Sequence, residues 1–251
     1  MTTVKRVALV TGSGAKRVGS VVAGALARRG YAIAVHYRSS AAEAADTVAE
    51  LRTHGAAAEP FQADLVDEAA VRTLVRAVLA RFGRIDVLVN CAAVWKPKPL
   101  EEVTAADVRF HFDANALGTF LMCQQVGLAM VQQPEGGVIV NVGDWAEVRP
   151  YPGYAAYFPS KGAVSATTRC LAVELALRNP NIRVNAVLPG PVMLPPELSD
   201  EDKRQAINAT LVKREGSPNN IAQAVLSFID NDFVTGVCLP VDGGRTIYAP
   251  E

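Results

Sequence analysis

The sequence predicts a single α/β domain built on a seven-stranded parallel sheet with helices on both faces. Short β-branched runs alternate with longer segments of helical apolar spacing from one end of the chain to the other. The predicted strands are apolar throughout, which is typical of parallel strands buried on both faces. A chain of 251 residues, half of them hydrophobic, can bury the core of one such domain.

The predicted elements follow one another with short connections. Strands are predicted at residues 6–10, 32–36, 57–62, 85–89, 138–142, 183–188 and 237–241. Helices are predicted at residues 18–29, 41–53, 68–82, 104–133, 154–178 and 218–230. The segment 189–208 breaks this alternation with four prolines and a short helix, which favours a substrate loop or lid. We see no repeat or linker, so one domain is expected over residues 1–251.

Charge and cysteine content narrow the function classes. The chain has 25 basic and 25 acidic residues, so neither a nucleic-acid nor a membrane surface is indicated. Its four cysteines show no C-x-x-C spacing and no nearby histidine cluster, so we expect no metal site, no disulfide framework and reduced thiols in the cytoplasm. The N-terminus leads straight into a strand and no apolar run approaches 18 residues, so neither a signal peptide nor a membrane span is expected.

A glycine-containing turn follows the first predicted strand. Residues 11–19 read T-G-S-G-A-K-R-V-G and lead directly into the first helix. Backbone N–H groups at a helix N-terminus, together with the helix dipole, favour a diphosphate. The alternative is a tight strand-to-helix turn without a ligand. Its position in a βαβ unit favours cofactor binding.

A tyrosine and a lysine four residues apart form the candidate catalytic pair. On a helix, Tyr157 and Lys161 share one face. An ammonium roughly 6 Å from the phenol, at an effective dielectric of about 20, lowers the phenol pKa by roughly two units. This makes Tyr157 a usable general acid. Asp144 follows a predicted buried strand and can reach the same substrate atom; the alternative for the whole pattern is a surface helix with a solvated lysine.

Taken in order, several short motifs resemble those of the short-chain dehydrogenase/reductase family over essentially the whole chain. They comprise Thr11, Gly12 and Gly19 in the turn, Asp64 and Leu65, Asn90-Cys91-Ala92-Ala93, Asn115, Tyr157 and Lys161, Pro189-Gly190, and T-G-V-C-L-P-V-D-G-G at residues 235–244. The resemblance implies a Rossmann fold and a nicotinamide cofactor. It also implies a small-molecule substrate and a homotetramer with the helices that start at residues 104 and 154 in its interfaces.

The same resemblance implies roles for individual residues. Tyr157 donates a proton, Lys161 lowers its pKa and binds the nicotinamide ribose, and Asn115, at a helix kink, holds a water that links Lys161 to solvent. The expected cofactor contacts are Gly12, Ser13, Arg17, Val18, Gly19, His36, Tyr37, Arg38, Ser39, Asp64, Leu65, Asn90, Ala92, Tyr157, Lys161, Pro189, Gly190 and Val192.

Departures from the family pattern point to one branch. Arg17 replaces the middle glycine of a turn that is one residue longer than usual, and Asp144 replaces the catalytic serine. The sequence H-Y-R-S-S also follows the second strand. Together, these features resemble those of the pteridine reductases and the dihydrofolate/dihydromonapterin reductases. Trp95 stands where they place an aromatic that stacks on the pterin, or else it only covers a loop. Trp145 is predicted to pack. Pro159 places Tyr157 in the first turn of its helix.

The expected cofactor is NADPH. Relatives that use NAD carry an acidic residue after the second strand, whereas His36, Tyr37, Arg38 and Ser39 stand there. Arg38 and Arg17 can hold a 2′-phosphate; the alternative is two solvated arginines.

Asp144 decides among the candidate reactions. An ionised carboxylate repels the oxyanion of ketone reduction, whereas a neutral carboxyl donates and either form suits a nitrogen heterocycle. Arg17, Trp95, Asp144 and Tyr157 are the expected substrate contacts. We therefore predict NADPH-dependent reduction of a C=N bond in a pteridine-like substrate. The alternatives are a carbonyl reductase acting on 3-oxoacyl thioesters or quinones, with Asp144 as drift, and a non-catalytic NADPH-binding regulator.

Overall fold

The computed structural model describes residues 5–248, which form one α/β domain around a parallel seven-stranded sheet. The strands are β1 (Val7–Thr11), β2 (Ala32–Tyr37), β3 (Ala58–Gln62), β4 (Val87–Asn90), β5 (Gly137–Val142), β6 (Ile182–Pro189) and β7 (Cys238–Val241). Their spatial order is β3-β2-β1-β4-β5-β6-β7. The predicted Rossmann-type fold class and all seven strands are confirmed.

Within residues 5–248, eight α-helices connect and cover the strands. They are α1 (Val18–Arg28), α2 (Ala41–Thr53), α3 (Glu68–Phe82), α4 (Ala105–His111), α5 (Gly118–Val131), α6 (Phe158–Ala176), α7 (Asp200–Asn208) and α8 (Pro218–Asp230). The short helix expected within residues 189–208 is α7. The side chain of Ser199 caps α7 by accepting a hydrogen bond from Asp202 N at 3.1 Å.

The sheet separates two hydrophobic layers, and β1 shows how. Ala8 and Val10 face the layer that includes α1 and α8, whereas Val7 and Leu9 face the layer that includes α3, α5 and α6. All four side chains are buried. Because neither face of this strand meets water, both alternating sets are apolar, which explains the continuous apolar pattern.

The long apolar helix predicted at residues 104–133 is not one regular α-helix. A π-helical turn, Phe112–Leu117, separates α4 from α5 and carries Asn115 in the middle. Such turns insert a residue into the helical ladder and often mark functional sites. The helix is therefore interrupted at Asn115, where a kink was expected, and the prediction of regular helix through this segment is wrong.

Helix α6 begins later than predicted, at Phe158 instead of residue 154. Pro159 lies in its first turn, where the missing N–H breaks no helical hydrogen bond, and Tyr157 is the residue that caps the helix. The sequence-based placement of Tyr157 at the helix start is confirmed.

The helical run Ala105–Val131 also passes a membrane-span test by length and composition, with a mean hydropathy of 1.2. This corrects the expectation that no segment approaches such a length. Half of its most apolar window is buried inside the domain, as in the core helix of a globular protein.

Candidate active site

A large cleft lies at the carboxyl ends of the strands, where the chain order of the sheet reverses between β1 and β4. Its volume is about 1610 Å³, well above the range of about 300–1,000 Å³ for ordinary small-molecule sites. The predicted site residues that line it are Gly12, Arg17, Val18, Gly19, His36, Arg38, Ser39, Asp64, Leu65, Ala92, Trp95, Asp144, Tyr157, Pro189, Gly190 and Val192.

Five predicted site residues do not line the cleft: Ser13, Tyr37, Asn90, Asn115 and Lys161. Ser13 donates its hydroxyl to Val10 O at 2.7 Å, and Tyr37 packs against the hydrophobic core. The Asn90 amide donates to Asn141 Oδ1 at 2.9 Å, within the sheet. These side chains support the wall of the cleft from behind.

The glycine turn between β1 and α1 fits a diphosphate. Gly12 has a φ of 62°, and a Cβ there would lie 2.8 Å from Ala92 Cα; a Cβ on Gly19 would lie 2.7 Å from Gly12 O. Only glycine leaves the backbone this exposed at the start of α1, where N–H groups and the helix dipole attract an anion.

His36 supports this turn from β2. Its Nδ1 accepts a hydrogen bond from Gly12 N at 3.1 Å, and its Nε2 lies 3.1 Å from Ala63 O. The neutral tautomer with a proton on Nε2 satisfies both contacts. Burial lowers the pKa of His36 to about 4, so the ring is neutral at physiological pH.

Two arginines stand at the same end of the cleft. Arg17 caps α1, and its backbone N–H donates to Ser20 Oγ at 3.1 Å; Arg38 directly follows β2. Within residues 5–248, no carboxylate lies within 4.0 Å of either guanidinium. These charges are available to a phosphate.

Tyr157 and Asp144 form the polar centre of the cleft. The Tyr157 hydroxyl donates to Asp144 Oδ2 at 2.8 Å, and Ala146 N donates to Asp144 Oδ1 at 2.9 Å. Burial raises the pKa of Asp144. Burial, and then the Asp144 charge, raise the pKa of Tyr157. The pair therefore keeps its protons to higher pH than isolated side chains do.

Lys161 lies behind this pair. Its ammonium donates to Val142 O at 2.9 Å and is buried, and the burial lowers its pKa. The predicted lowering of the Tyr157 pKa by Lys161 is wrong for this arrangement. Burial of the phenol and the adjacent Asp144 carboxylate both oppose its ionisation and decide the direction of the shift.

Asn115 joins three segments around the site. Its amide donates to Val94 O and to Ser160 Oγ, both at 3.0 Å, and its Oδ1 accepts from Val94 N at 2.8 Å. Both N–H groups of the Asn115 side chain thus donate to protein atoms. The side chain fixes the segment before Trp95 and the start of α6; a water-holding role for Asn115 stays a prediction.

Aromatic side chains wall the cleft beside Asp144. Trp95 stacks on Tyr154 with an interplanar angle of 3° and a centroid distance of 5.2 Å, and Trp145 stacks on Tyr151 at 6.1 Å. Trp95 is 43% exposed and Trp145 only 7%. The packing role predicted for Trp145 agrees with its burial, although its edge also reaches the cleft.

Sequence reasoning missed several residues that line the cleft, among them Arg149, Tyr151, Tyr154 and Arg245. The first three lie in the stretch between Asp144 and Tyr157, so their proximity to those residues could have suggested them. Arg245 follows the last strand and has no comparable signal. The segment 191–209, including part of α7, closes the remaining side of the cleft, as expected of a substrate loop.

Comparisons with known proteins agree with this architecture. A family described as "Enoyl-(Acyl carrier protein) reductase" matches residues 14–246. D-threitol dehydrogenase of Mycolicibacterium smegmatis is 36% identical over 249 residues, covering 96% of this chain and 93% of that protein. The 3-oxoacyl-[acyl-carrier-protein] reductase of Staphylococcus aureus is 33% identical over 242 residues, covering 94% and 96%.

Solved structures show the same likeness. Acetoin dehydrogenase from Enterobacter cloacae superposes with a TM-score of 0.89 at 35% identity and covers 100% of this chain and 99% of its own. A xylitol dehydrogenase solved with bound NAD⁺ gives a TM-score of 0.88 at 32% identity, covering 97% and 100%. With the glycine turn, the tyrosine and lysine, and the matched family over nearly the whole length, the chain belongs to the short-chain dehydrogenase/reductase family of nicotinamide-dependent oxidoreductases.

Proposed function

We propose that this oxidoreductase is an NADPH-dependent reductase of a planar nitrogen heterocycle of the pteridine class, and that it acts on a C=N bond. The observation that carries the proposal is the 2.8 Å hydrogen bond between Tyr157 and Asp144 in a cleft walled by stacked aromatic rings. The exposed Trp95 offers a flat heterocycle an aromatic surface for offset stacking.

The Tyr157–Asp144 pair supplies the proton. Because the pKa of each group is raised, the phenol is retained and a fraction of Asp144 stays neutral to higher pH than usual. As Tyr157 donates its proton to the ring nitrogen, a neutral Asp144 can return one to the phenol oxygen. When ionised, Asp144 accepts a hydrogen bond from a ring N–H; during ketone reduction it would oppose the developing oxyanion.

A bound nicotinamide cofactor supplies hydride in this family. The turn around Gly12 and Gly19 suits a diphosphate, and two arginines that line the cleft, Arg17 and Arg38, support the proposal of a 2′-phosphate. Following the family resemblance, we assign Lys161 to the nicotinamide ribose.

The preference for NADPH is tested at Arg38. Arg38→Asp removes a positive charge and adds a negative one that repels a 2′-phosphate. We expect the KM for NADPH to rise at least tenfold while the KM for NADH changes little. Steady-state kinetics with both cofactors measures this, and equal changes in the two constants would contradict the assignment.

Carbonyl reduction is the second candidate, favoured by the names of the relatives. Threitol, acetoin and xylitol dehydrogenases and a 3-oxoacyl reductase all interconvert alcohols and carbonyls. In that reaction a neutral Asp144 would donate to the carbonyl oxygen as a serine hydroxyl does.

A substrate panel separates the candidates. Purified protein is mixed with NADPH and one candidate substrate, and the loss of NADPH absorbance is followed. The candidate substrates are dihydrobiopterin, dihydrofolate, an acetoacetyl thioester and acetoin. Turnover of dihydropterins well above the carbonyl compounds supports the proposal. The reverse order supports the second candidate, and NADPH binding without any turnover would favour a regulatory role.

We also propose a cytoplasmic homotetramer. All four cysteines are unpaired, as expected in a reducing compartment. Exposed apolar side chains on α5 and α6, or directly beside these helices, are available for interfaces: Leu117, Phe120, Leu128, Val173 and Leu177.

A further inference from the structure

An arginine at the substrate end of the cleft has no role in the chemistry described above. Arg245 lies just after β7, and its guanidinium stands 4.5 Å from the centroid of the Trp145 ring. It lines the same cleft as Asp144 and Tyr157, whereas Arg17 and Arg38 flank the glycine turn. Stacking on an aromatic face holds the guanidinium plane while leaving its N–H edge available.

The guanidinium of Arg245 forms few hydrogen bonds to other protein atoms. Its one side-chain hydrogen bond within residues 5–248 goes to Ala206 O at 3.3 Å, and no carboxylate there lies within 4.0 Å of it. A half-buried guanidinium has five donors and normally finds an anionic partner. Burial lowers the pKa of Arg245, and the charges of Asp144 and Asp242 offset only part of this effect.

The nearby carboxylates are occupied elsewhere. Asp242 accepts hydrogen bonds from Gly244 N at 2.9 Å and from the backbone and hydroxyl of Thr246, both at 2.6 Å. Asp144 accepts from Ala146 N and from the Tyr157 hydroxyl. Neither aspartate forms an ion pair with Arg245.

A second arginine fixes the position of Arg245 and adds to its charge. Arg149 donates one guanidinium nitrogen to Arg245 O at 3.0 Å and to Tyr248 O. The positive charge of Arg149 also lowers the pKa of Arg245. Two cations line the same cleft, one of them over an aromatic ring, and an anion stabilises such an environment.

We propose that Arg245 binds an oxyanion, a carboxylate or a phosphate, carried by the substrate outside the group that is reduced. The inference rests on the proposed function because it places the reducible group at Tyr157. It adds that the substrate is acidic, and it makes Arg245 the residue that selects for this charge, with Arg149 as its positioning partner.

The test compares substrates that share one reducible ring and differ in charge. Dihydrobiopterin has a neutral side chain, dihydrofolate carries carboxylates, and dihydroneopterin monophosphate carries a phosphate. Acetoacetate and ethyl acetoacetate form the corresponding carbonyl pair. Each is assayed with NADPH on the wild type, Arg245→Met, Arg245→Lys and Arg72→Met. Arg72 is an exposed α3 arginine that pairs with Glu68 and does not line the cleft, so its variant controls for loss of charge alone.

The wild type should favour an anionic member of its series in kcat/KM by at least tenfold. Arg245→Met should lower kcat/KM for that member about ten- to hundredfold, mainly through KM, and leave the neutral member nearly unchanged. Arg245→Lys should recover part of the preference, and Arg72→Met should retain all of it. The compound whose kcat/KM falls more in Arg245→Met, dihydrofolate or the monophosphate, shows whether Arg245 prefers a carboxylate or a phosphate.

Two results would overturn the inference. One is the absence of any preference for an anionic member in both series. The other is an equal loss on charged and neutral members together with a shifted pH profile, because Arg245 then acts only through the ionisation of Asp144. Turnover of the carbonyl pair alone, with an acetoacetate preference that Arg245→Met removes, would reject the pteridine proposal and keep this inference.

Discussion

At residue scale, Asp144 and Tyr157 act as one unit, since each determines the ionisation of the other. The 2.8 Å hydrogen bond places the phenol proton between two oxygens, and burial disfavours the charged form of both groups. A site of this kind holds a proton instead of a phenolate, which suits reduction better than oxidation of an alcohol.

Replacing Tyr157 with Phe should abolish turnover and leave the cofactor in place. The change removes one hydroxyl that donates in the transition state, so kcat should fall by roughly 10²–10⁴. The dissociation constant for NADPH, measured by fluorescence titration, should change little. Tyr31→Phe, at a buried tyrosine outside the cleft, is the matched control. Wild-type turnover in the Tyr157 variant would remove this residue from the mechanism.

Replacing Asp144 with Ser should separate the two candidate reactions. Dihydropterin turnover should fall, and weak ketone turnover should stay level or rise, because serine restores a neutral donor and removes a charge that opposes an oxyanion. The raised pKa of Asp144 keeps the carboxyl protonated to higher pH than usual, and the wild-type rate should fall as pH rises through that pKa. The serine variant should lack this limb in a pH–rate profile. If the serine variant keeps full dihydropterin activity and the wild-type pH–rate profile, Asp144 has no role in the reaction.

At the scale of elements, the turn between β1 and α1 depends on a neutral histidine in β2. Protonated His36 cannot accept the hydrogen bond from Gly12 N. The hydrogen bonding of the cofactor turn therefore depends on pH, through a histidine that lies outside the glycine motif.

This coupling predicts acid-sensitive stability. The folded pKa of His36 is about 4 against 6.5 when unfolded, so the unfolded state binds the extra proton first as pH falls. The free energy of unfolding should drop from below pH 6.5 until about pH 4, by about 3 kcal/mol for this residue. His36→Gln should remove that part of the pH dependence in urea titrations. His54→Gln, on the surface, should retain it. Equal slopes in the wild type and the His36 variant would contradict the assignment.

The segment 189–208 should close over bound ligands. Its prolines stiffen the chain after β6, and its later part, including α7, lines the cleft. Closure excludes water from the reaction. Hydrogen exchange with and without NADPH should show added protection here, while the distant α3 serves as an internal reference. An unchanged segment would count against the lid.

At the scale of the whole molecule, the sheet order brings distant parts of the chain to one cleft. The β1–α1 turn, the residues after β5 and the turn after β7 meet because parallel strands end at the same edge. The helices on the outer layer leave apolar side chains exposed, notably Val173 and Leu177 on or just after α6, at 61% and 81%.

These exposed side chains predict the assembly. The Val173→Asp, Leu177→Asp double variant should shift the protein from a tetramer of 26.6 kDa chains to smaller species, because two charges cannot be buried in an apolar interface. Sedimentation velocity measures the change. Leu100→Asp, at a leucine of similar exposure outside these helices, should keep the wild-type mass. A wild type that sediments as a monomer would refute the tetramer.

The sequence by itself determined the fold class, the seven strands and the main components of the cleft. Apolar runs, glycine turns and helix caps depend on local periodicity and conformation, and these are written in neighbouring residues. The motif order placed Asp144, Tyr157 and the glycine turn in one site, and the structure brings them there.

Only the tertiary structure decided the pKa shifts in the active site and the residues that line the substrate end of the cleft. The Tyr157 pKa moves opposite to the expectation drawn from Lys161, since burial and a neighbour thirteen positions away outweigh helical spacing. The π-helical turn at Asn115 interrupts a segment with regular apolar spacing. Arg245 reaches the cleft from the far end of the chain. Desolvation and contacts between distant segments arise from packing, and no local pattern in the sequence encodes them.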